Sequence, residues 1–203
     1  MLPGSYTVRV TANGVTATQP MRVLRDPSIT NSDADLAASL RAQQRVLAMT
    51  NEVVDMTNRI EVMRRQIEDK LKDTTKTKPN AALVQRLRDI DAKLMDVELR
   101  FLSRTELHSD DKWYVEPYRL YLNLIWLAGG LGGGGGDVAG GADFRPTDSQ
   151  VAYIADLEKE LASAKAAFNT VVTRDVAAFN REAGGRITLT SSPPVARVAG
   201  GTQ

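Results

Sequence analysis

The chain of 203 residues has no cysteine, a single histidine and few aromatics, 5% of the total. Without cysteine there is no disulfide, no thiolate nucleophile and no cysteine-ligated zinc. Charge of one sign is lacking too: 26 basic residues stand against 25 acidic, for a net charge of +1. No strong field steers the chain toward nucleic acid or an anionic surface. Clusters such as Arg64 and Arg65 sit among Glu61, Glu68 and Asp69, the pattern of a mixed, solvated helix face. No apolar run approaches the roughly 20 residues a bilayer-spanning helix needs. The opening MLPGSYTVRV lacks the apolar core of a signal peptide. The chain therefore reads as cytoplasmic, or as a mature or truncated piece of something longer. Glycine is missing between Gly14 and Gly129, which leaves room for long uninterrupted helices.

What is present begins with a hairpin signal. Tyr6, Val8 and Val10 alternate with Thr7 and Arg9, and Val15, Ala17, Met21 and Val23 mirror them. Asn13-Gly14 between the two runs is a strong turn signal, because both residues tolerate positive φ. Pro20 predicts an edge strand or a bulge. A lone two-stranded hairpin is marginal in water, so its apolar face needs a cover from upstream, from another chain or from the helices that follow.

Three long helices are expected next. The first runs from Asp33 to about Lys72 behind a Ser32/Asp35 cap, with Val53, Met56, Ile60, Met63 and Ile67 as its packing seam. The second starts near Asn80 or Ala81 and carries Leu83, Leu87, Ile90, Leu94, Val97 and Phe101 in heptad steps. The third begins at Thr147, with Gln150 at capping-box spacing, carries Ile154, Leu157, Leu161, Ala164, Phe168 and Val171, and stops at Gly184-Gly185. The polar stretch 72–80 is short, so the first two helices are expected to be antiparallel neighbours. The expected fold is mainly α: an elongated antiparallel three-helix coiled-coil-like bundle over 28–185, preceded by the hairpin of 1–27. An aromatic and glycine-rich insert occupies 113–146, and an extended Pro/Gly/Ser-rich tail 186–203.

The insert is the most distinctive segment. Both tryptophans and three of the five tyrosines (Trp113, Tyr114, Tyr118, Tyr121 and Trp126) fall there, interleaved with Leu120, Leu122, Leu124, Ile125 and Leu127. Nine of the 15 glycines follow within 129–141. Tryptophan and tyrosine combine an apolar body with a polar tip, which suits a wet-edged protein interface or a headgroup zone. The plainer reading is that the segment covers one end of the bundle as core. The glycine run lacks the Lys-Ser/Thr of a phosphate loop and the preceding strand of a dinucleotide turn; it reads as a linker, or as bare backbone threading a close contact. Trp113, Tyr114, Tyr118, Tyr121, Trp126, Gly132 and Gly134 are accordingly the expected partner-contact residues.

Catalytic signals are weak. Glu106, His108, Asp110 and Asp111 are a carboxylate-rich ligand set that reads better as a capped helix end. Asp89 with Asp91, and Glu158 with Glu160, point in different directions from their helices and do not face each other across a cleft. No serine or threonine is arranged with His108 and an acid as a nucleophile. No catalytic, cofactor or metal residue is assigned.

Residues 2–29 resemble the last strands of an immunoglobulin-like module, on Pro3, Gly4, Tyr6, Val8, Asp26 and Pro27. That module follows the β-propeller in large exported bacterial proteins with sortilin-like, BNR-type repeats, often labelled glycosyl hydrolases. The segment WYVEPYRLYLNLIWLAGG and the helix end AAFNREAGG are similar to the helical C-terminal region of the same family. The propeller and its Asp boxes are absent from the 203 residues, so no hydrolase residue carries over. The resemblance implies an exported protein, periplasmic and membrane-peripheral or extracellular, and a chain that begins mid-domain.

Three readings follow. One is a non-catalytic, membrane-extrinsic module bracing protein subunits of a larger complex, with contact to a membrane surface through 113–141 as an option. A photosynthetic reaction-centre and antenna complex is one candidate host. Another is the accessory end of a secreted propeller hydrolase. The last is a coiled-coil homo-oligomer joined through 83–101.

Overall fold

The computed structural model describes residues 2–73, 80–104, 116–132, 144–185 and 188–192. The fold is mainly helical behind an N-terminal antiparallel hairpin. Strand β1 (Gly4–Ala12) pairs with β2 (Val15–Val23) in unbroken register from Gly4↔Val23 to Ala12↔Val15. Asn13 (φ 50°) and Gly14 (φ 77°) take the positive-φ turn that the sequence predicts. Pro20 makes no bulge; it pairs in register with Thr7.

Helix α1 (Asp33–Asp73) has 41 residues, about 60 Å at the usual rise. Ser32 Oγ accepts the Asp35 N–H at 3.1 Å, and the Asp35 carboxylate accepts the Ser32 N–H in return, closing the expected box. Ala42, Val46, Met49, Val53, Met56, Ile60, Met63 and Ile67 are all buried. Their alternating steps of four and three make one stripe along the helix. Helix α2 (Ala81–Phe101) starts on Asn80, whose side chain accepts the Ala82 N–H at 2.9 Å. Leu87, Ile90, Leu94, Val97 and Phe101 are buried and Leu83 is half-buried, so the expected seam faces the core.

Among the described residues, the expectation of three helices falls short by one. Helix α3 (Leu120–Gly130) stands inside the stretch read as an insert. No proline follows Pro117 there, and leucine and alanine favour helix, while the first glycines fall only in its last turn. The final long helix runs as α4 (Asp148–Thr170), a π-helical turn (Val171–Val176) and α5 (Ala177–Glu182). Thr147 and Gln150 cap α4 reciprocally. Gly184 (φ 57°) and Gly185 (φ 80°) end α5 in the left-handed region.

The chain divides into two compact units. One comprises Met1–Ala48 and Ile125–Ala155, the other Met49–Leu124 and Asp156–Gln203. In the first unit, Leu36, Leu127, Leu131 and Ile154 are buried, and Gln150 Nε2 donates to the Gly130 carbonyl at 3.1 Å, tying the end of α3 to the start of α4. In the second, phenylalanines 101, 168 and 179 are fully buried. Burying each such ring contributes about 1.5–3 kcal/mol.

Candidate functional site

Within the first unit, the hairpin register fixes what each face carries. Directly opposed residues share a face, so Tyr6/Met21, Val8/Gln19, Val10/Ala17 and Ala12/Val15 line one side. Ser5/Arg22, Thr7/Pro20, Arg9/Thr18 and Thr11/Thr16 line the other. The first face carries no charge, and it lies open. Val15 is 72% exposed, Val10 59%, Val8 40% and Met21 37%. Among the described residues, each strand pairs only with the other, so both edges keep unused backbone groups. The base of the ribbon is held: Tyr6 Oη donates to the Leu2 carbonyl at 2.7 Å, and Leu2, Val23, Ile29, Leu36 and Leu40 share a cleft. The ribbon thus presents a fixed apolar strip rather than a collapsed loop.

The aromatic candidates separate. Leu120, Leu124 and Leu127 form the buried stripe of α3, and buried Leu131 follows just past its end. Tyr118 and Tyr121 are half-buried in the second unit. Trp126 stands out at 63% exposure in the first unit, with Ile125 beside it at 42%. Gly132 (φ 82°) takes the left-handed conformation just past α3 and donates its N–H to the Gly129 carbonyl at 3.0 Å, so its direct role is to stop the helix. Trp113, Tyr114 and Gly134 lie outside the described residues. Sequence reasoning missed Phe144, Val151 and Tyr153, exposed apolar residues of the same first unit. Their signal was available, since Val151 and Tyr153 fall off the seam of α4 that Ile154 opens.

Several charged groups of the second unit pair with one another. Arg64 on α1 donates to Asp91 at 3.0 Å and to Glu98, both on α2. Glu98 is only 2% exposed. Burial pushes its carboxyl above the ordinary value, and Arg64 offsets only part of that. The Arg64 guanidinium is held more firmly charged despite its own burial, by Asp91 first and then Glu98. Asp175 accepts from Lys93 at 2.8 Å and from Arg174 at 3.3 Å; burial opposes its charge, yet these bonds keep its carboxyl below the ordinary range. Asp91 is thereby engaged in an ion pair, and Asp89 accepts from Gln85 at 2.8 Å. Among the described residues, no cluster of His, Asp and Glu is placed to hold a metal. The Glu106, His108, Asp110 and Asp111 set lies outside them.

No helix among the described residues is long and apolar enough to cross a membrane. No family model, curated protein or solved structure matches the chain.

Proposed function

We propose that this chain is a non-catalytic interaction module that braces a larger assembly from outside the membrane. The uncovered apolar face of the hairpin carries this reading. It is a regular, uncharged strip, held in register and left bare where a ribbon of two strands needs a cover. The exposed Ile125 and Trp126 pair of α3 supplies a second apolar contact, against protein or a headgroup surface.

The rest of the chain serves as the brace, an antiparallel three-helix coiled-coil-like bundle. Ion pairs support that geometry within the second unit. Arg86–Glu182 and Lys93–Asp175 run in opposite chain directions, as antiparallel helices require. Glu52–Lys165 and the stacking of Arg59 on Phe168 run in the same direction. The resemblance of 2–29 to an exported immunoglobulin-like module favours a periplasmic or extracellular setting. A photosynthetic reaction-centre and antenna complex is one candidate host.

A second reading draws on the same open ribbon. The terminal hairpin of an immunoglobulin-like sandwich presents this face and these edges to its remaining strands, as in the accessory end of a secreted propeller hydrolase. Native purification with mass spectrometry separates the two. Co-migrating subunits favour the brace, whereas a covalently continuous propeller with no partners favours the accessory end.

The contact itself is tested by Val10→Lys with Val15→Lys. Both side chains are solvent-exposed, so the melting temperature should stay within about 2 °C, the scale of surface changes near 0.5 kcal/mol. Recovery in the native complex should fall at least about tenfold, the effect of losing 1.4 kcal/mol of binding. Deleting 133–141, which leaves α3 and the Gly132 stop whole, should also weaken assembly more than stability. Undiminished recovery of both variants would sink the proposal.

A further inference from the structure

Residues 188–192 lie along the second unit in a way that their composition does not require. Leu189 is 3% exposed between exposed Thr188 and Thr190, the in-and-out alternation of an extended strand. Among the described residues, no strand pairs with them. Two side-chain carboxamides take the place of one. Asn180 of α5 donates Nδ2–H to the Leu189 carbonyl at 2.9 Å and accepts the Leu189 N–H on Oδ1 at 2.8 Å. Gln66 of α1 does the same for the next residue, donating to the Thr190 carbonyl at 2.9 Å and accepting its N–H at 3.0 Å. Arg59 of α1, stacked 4.8 Å from the Phe168 ring centroid, donates to Ser191 Oγ at 3.2 Å.

Each carboxamide uses both its donor and its acceptor on one residue's main chain, so the pairing reads backbone and not side chain. Sequence enters at two places only: the buried leucine, and the hydroxyl two residues later. This is the logic of peptide recognition by strand addition, with backbone bonds for affinity and alternate pockets for selectivity. From this geometry we infer that the groove between α1 and α5 is a binding site for an extended peptide of another chain, carrying leucine followed two residues later by serine or threonine, and that 188–192 occupies it in cis. The groove uses none of the hairpin or α3 residues that carry the proposed function, so it holds or fails separately from that proposal.

The test uses the full-length chain carrying Thr190→Pro. Proline removes the N–H that Gln66 accepts, and Thr190 is exposed, so no core cavity results. A fluorescein-labelled peptide of sequence RITLTSS is titrated and followed by anisotropy. The variant should bind it at least about tenfold more tightly than the wild type, whose own segment competes. Adding Asn180→Leu should remove that binding, and so should replacing the peptide's leucine with aspartate. If the variant loses helical circular dichroism, the wild type gives the answer instead. Excess unlabelled peptide should accelerate hydrogen exchange at the chain's own Leu189 and Thr190 amides by displacing the segment. A folded variant that ignores the peptide, binding indifferent to Asn180→Leu, or unchanged exchange in the wild type would each overturn the inference.

Discussion

Glu98 and Arg64 form the residue-scale feature with the clearest energetic consequence. A carboxylate with 2% exposure is tolerated only because a guanidinium reaches it, and that guanidinium is shared with Asp91. Removing one member of a buried pair leaves the other desolvated and uncompensated, which costs more than the pair contributes. Arg64→Met should therefore destabilise the chain by about 3 kcal/mol at pH 7, at the low end for buried pairs because Arg64 is partly solvated. Glu98→Gln should stay within about 1 kcal/mol of the wild type, since the amide keeps a hydrogen-bond acceptor and sheds the buried charge. Urea unfolding of the two variants measures both. Equal losses would mean that the charge of Glu98 itself is needed. Glu98 lies next to the seam residue Val97, off the heptad positions of α2. Its burial depends on α1 covering α2 at that point, which no local pattern states.

At the scale of elements, most of the fold is legible because each helix carries its own start, stripe and stop. Ser32, Asn80 and Thr147 all cap where their residue types predict, and the stripes of α1, α2 and α4 are buried. Helix α3 was hidden by its composition: an apolar run without polar alternation shows no helical face, and the glycines after it suggest loop. The candidate site was legible in part for the same reason. Trp126 was found as an aromatic, but its exposure depends on which face of α3 the leucines bury. The π-helical turn is the other feature that a regular period conceals. Seam steps of three and four lead to Val171, after which Arg174 and Asp175 fall where apolar residues are due. A five-residue step to Val176 skips them, and Phe179 and Ala183 then resume the buried stripe. The π turn absorbs one extra residue and keeps the stripe in phase. Deleting Thr173, an exposed residue of that turn, should convert it to α-helix and cost no more than about 1 kcal/mol, because the steps become four, three and four. Deleting exposed Glu160 from α4 should cost about 3 kcal/mol or more, on the scale of losing a large core side chain, because it rotates one half of the stripe off the core. Thermal unfolding monitored at 222 nm compares the two. Equal losses would refute the phasing role of the π turn.

For the molecule as a whole, the near-balance of charge and the single histidine make its pH response simple to read. Few groups titrate near neutrality, so acid-side changes in stability report the carboxylates whose folded and unfolded states differ. Glu98 is raised above its ordinary 4.5, foremost by burial. The folded state then holds that proton more firmly than the unfolded chain does, so stability falls as pH rises from 4.5 through the raised value. Asp175 is lowered below 3.8 by its bonds to Lys93 and Arg174, which outweigh its burial; Asp26 and Asp35 are lowered by hydrogen bonds from Ser28 and Ser32. Their contributions are present above 3.8 and are lost as pH falls through the folded values. The two windows do not overlap. Stability should therefore rise on acidification through the raised Glu98 value toward pH 4.5, then drop below about pH 3.8. Glu98→Gln should flatten the upper limb and leave the lower one intact, whereas Asp175→Asn should weaken the lower limb only. Urea midpoints measured from pH 3 to pH 8 follow both limbs. A wild-type profile that falls monotonically from pH 7 downward would show that Arg64 holds Glu98 fully charged, and that the buried pair stabilises the fold at neutral pH.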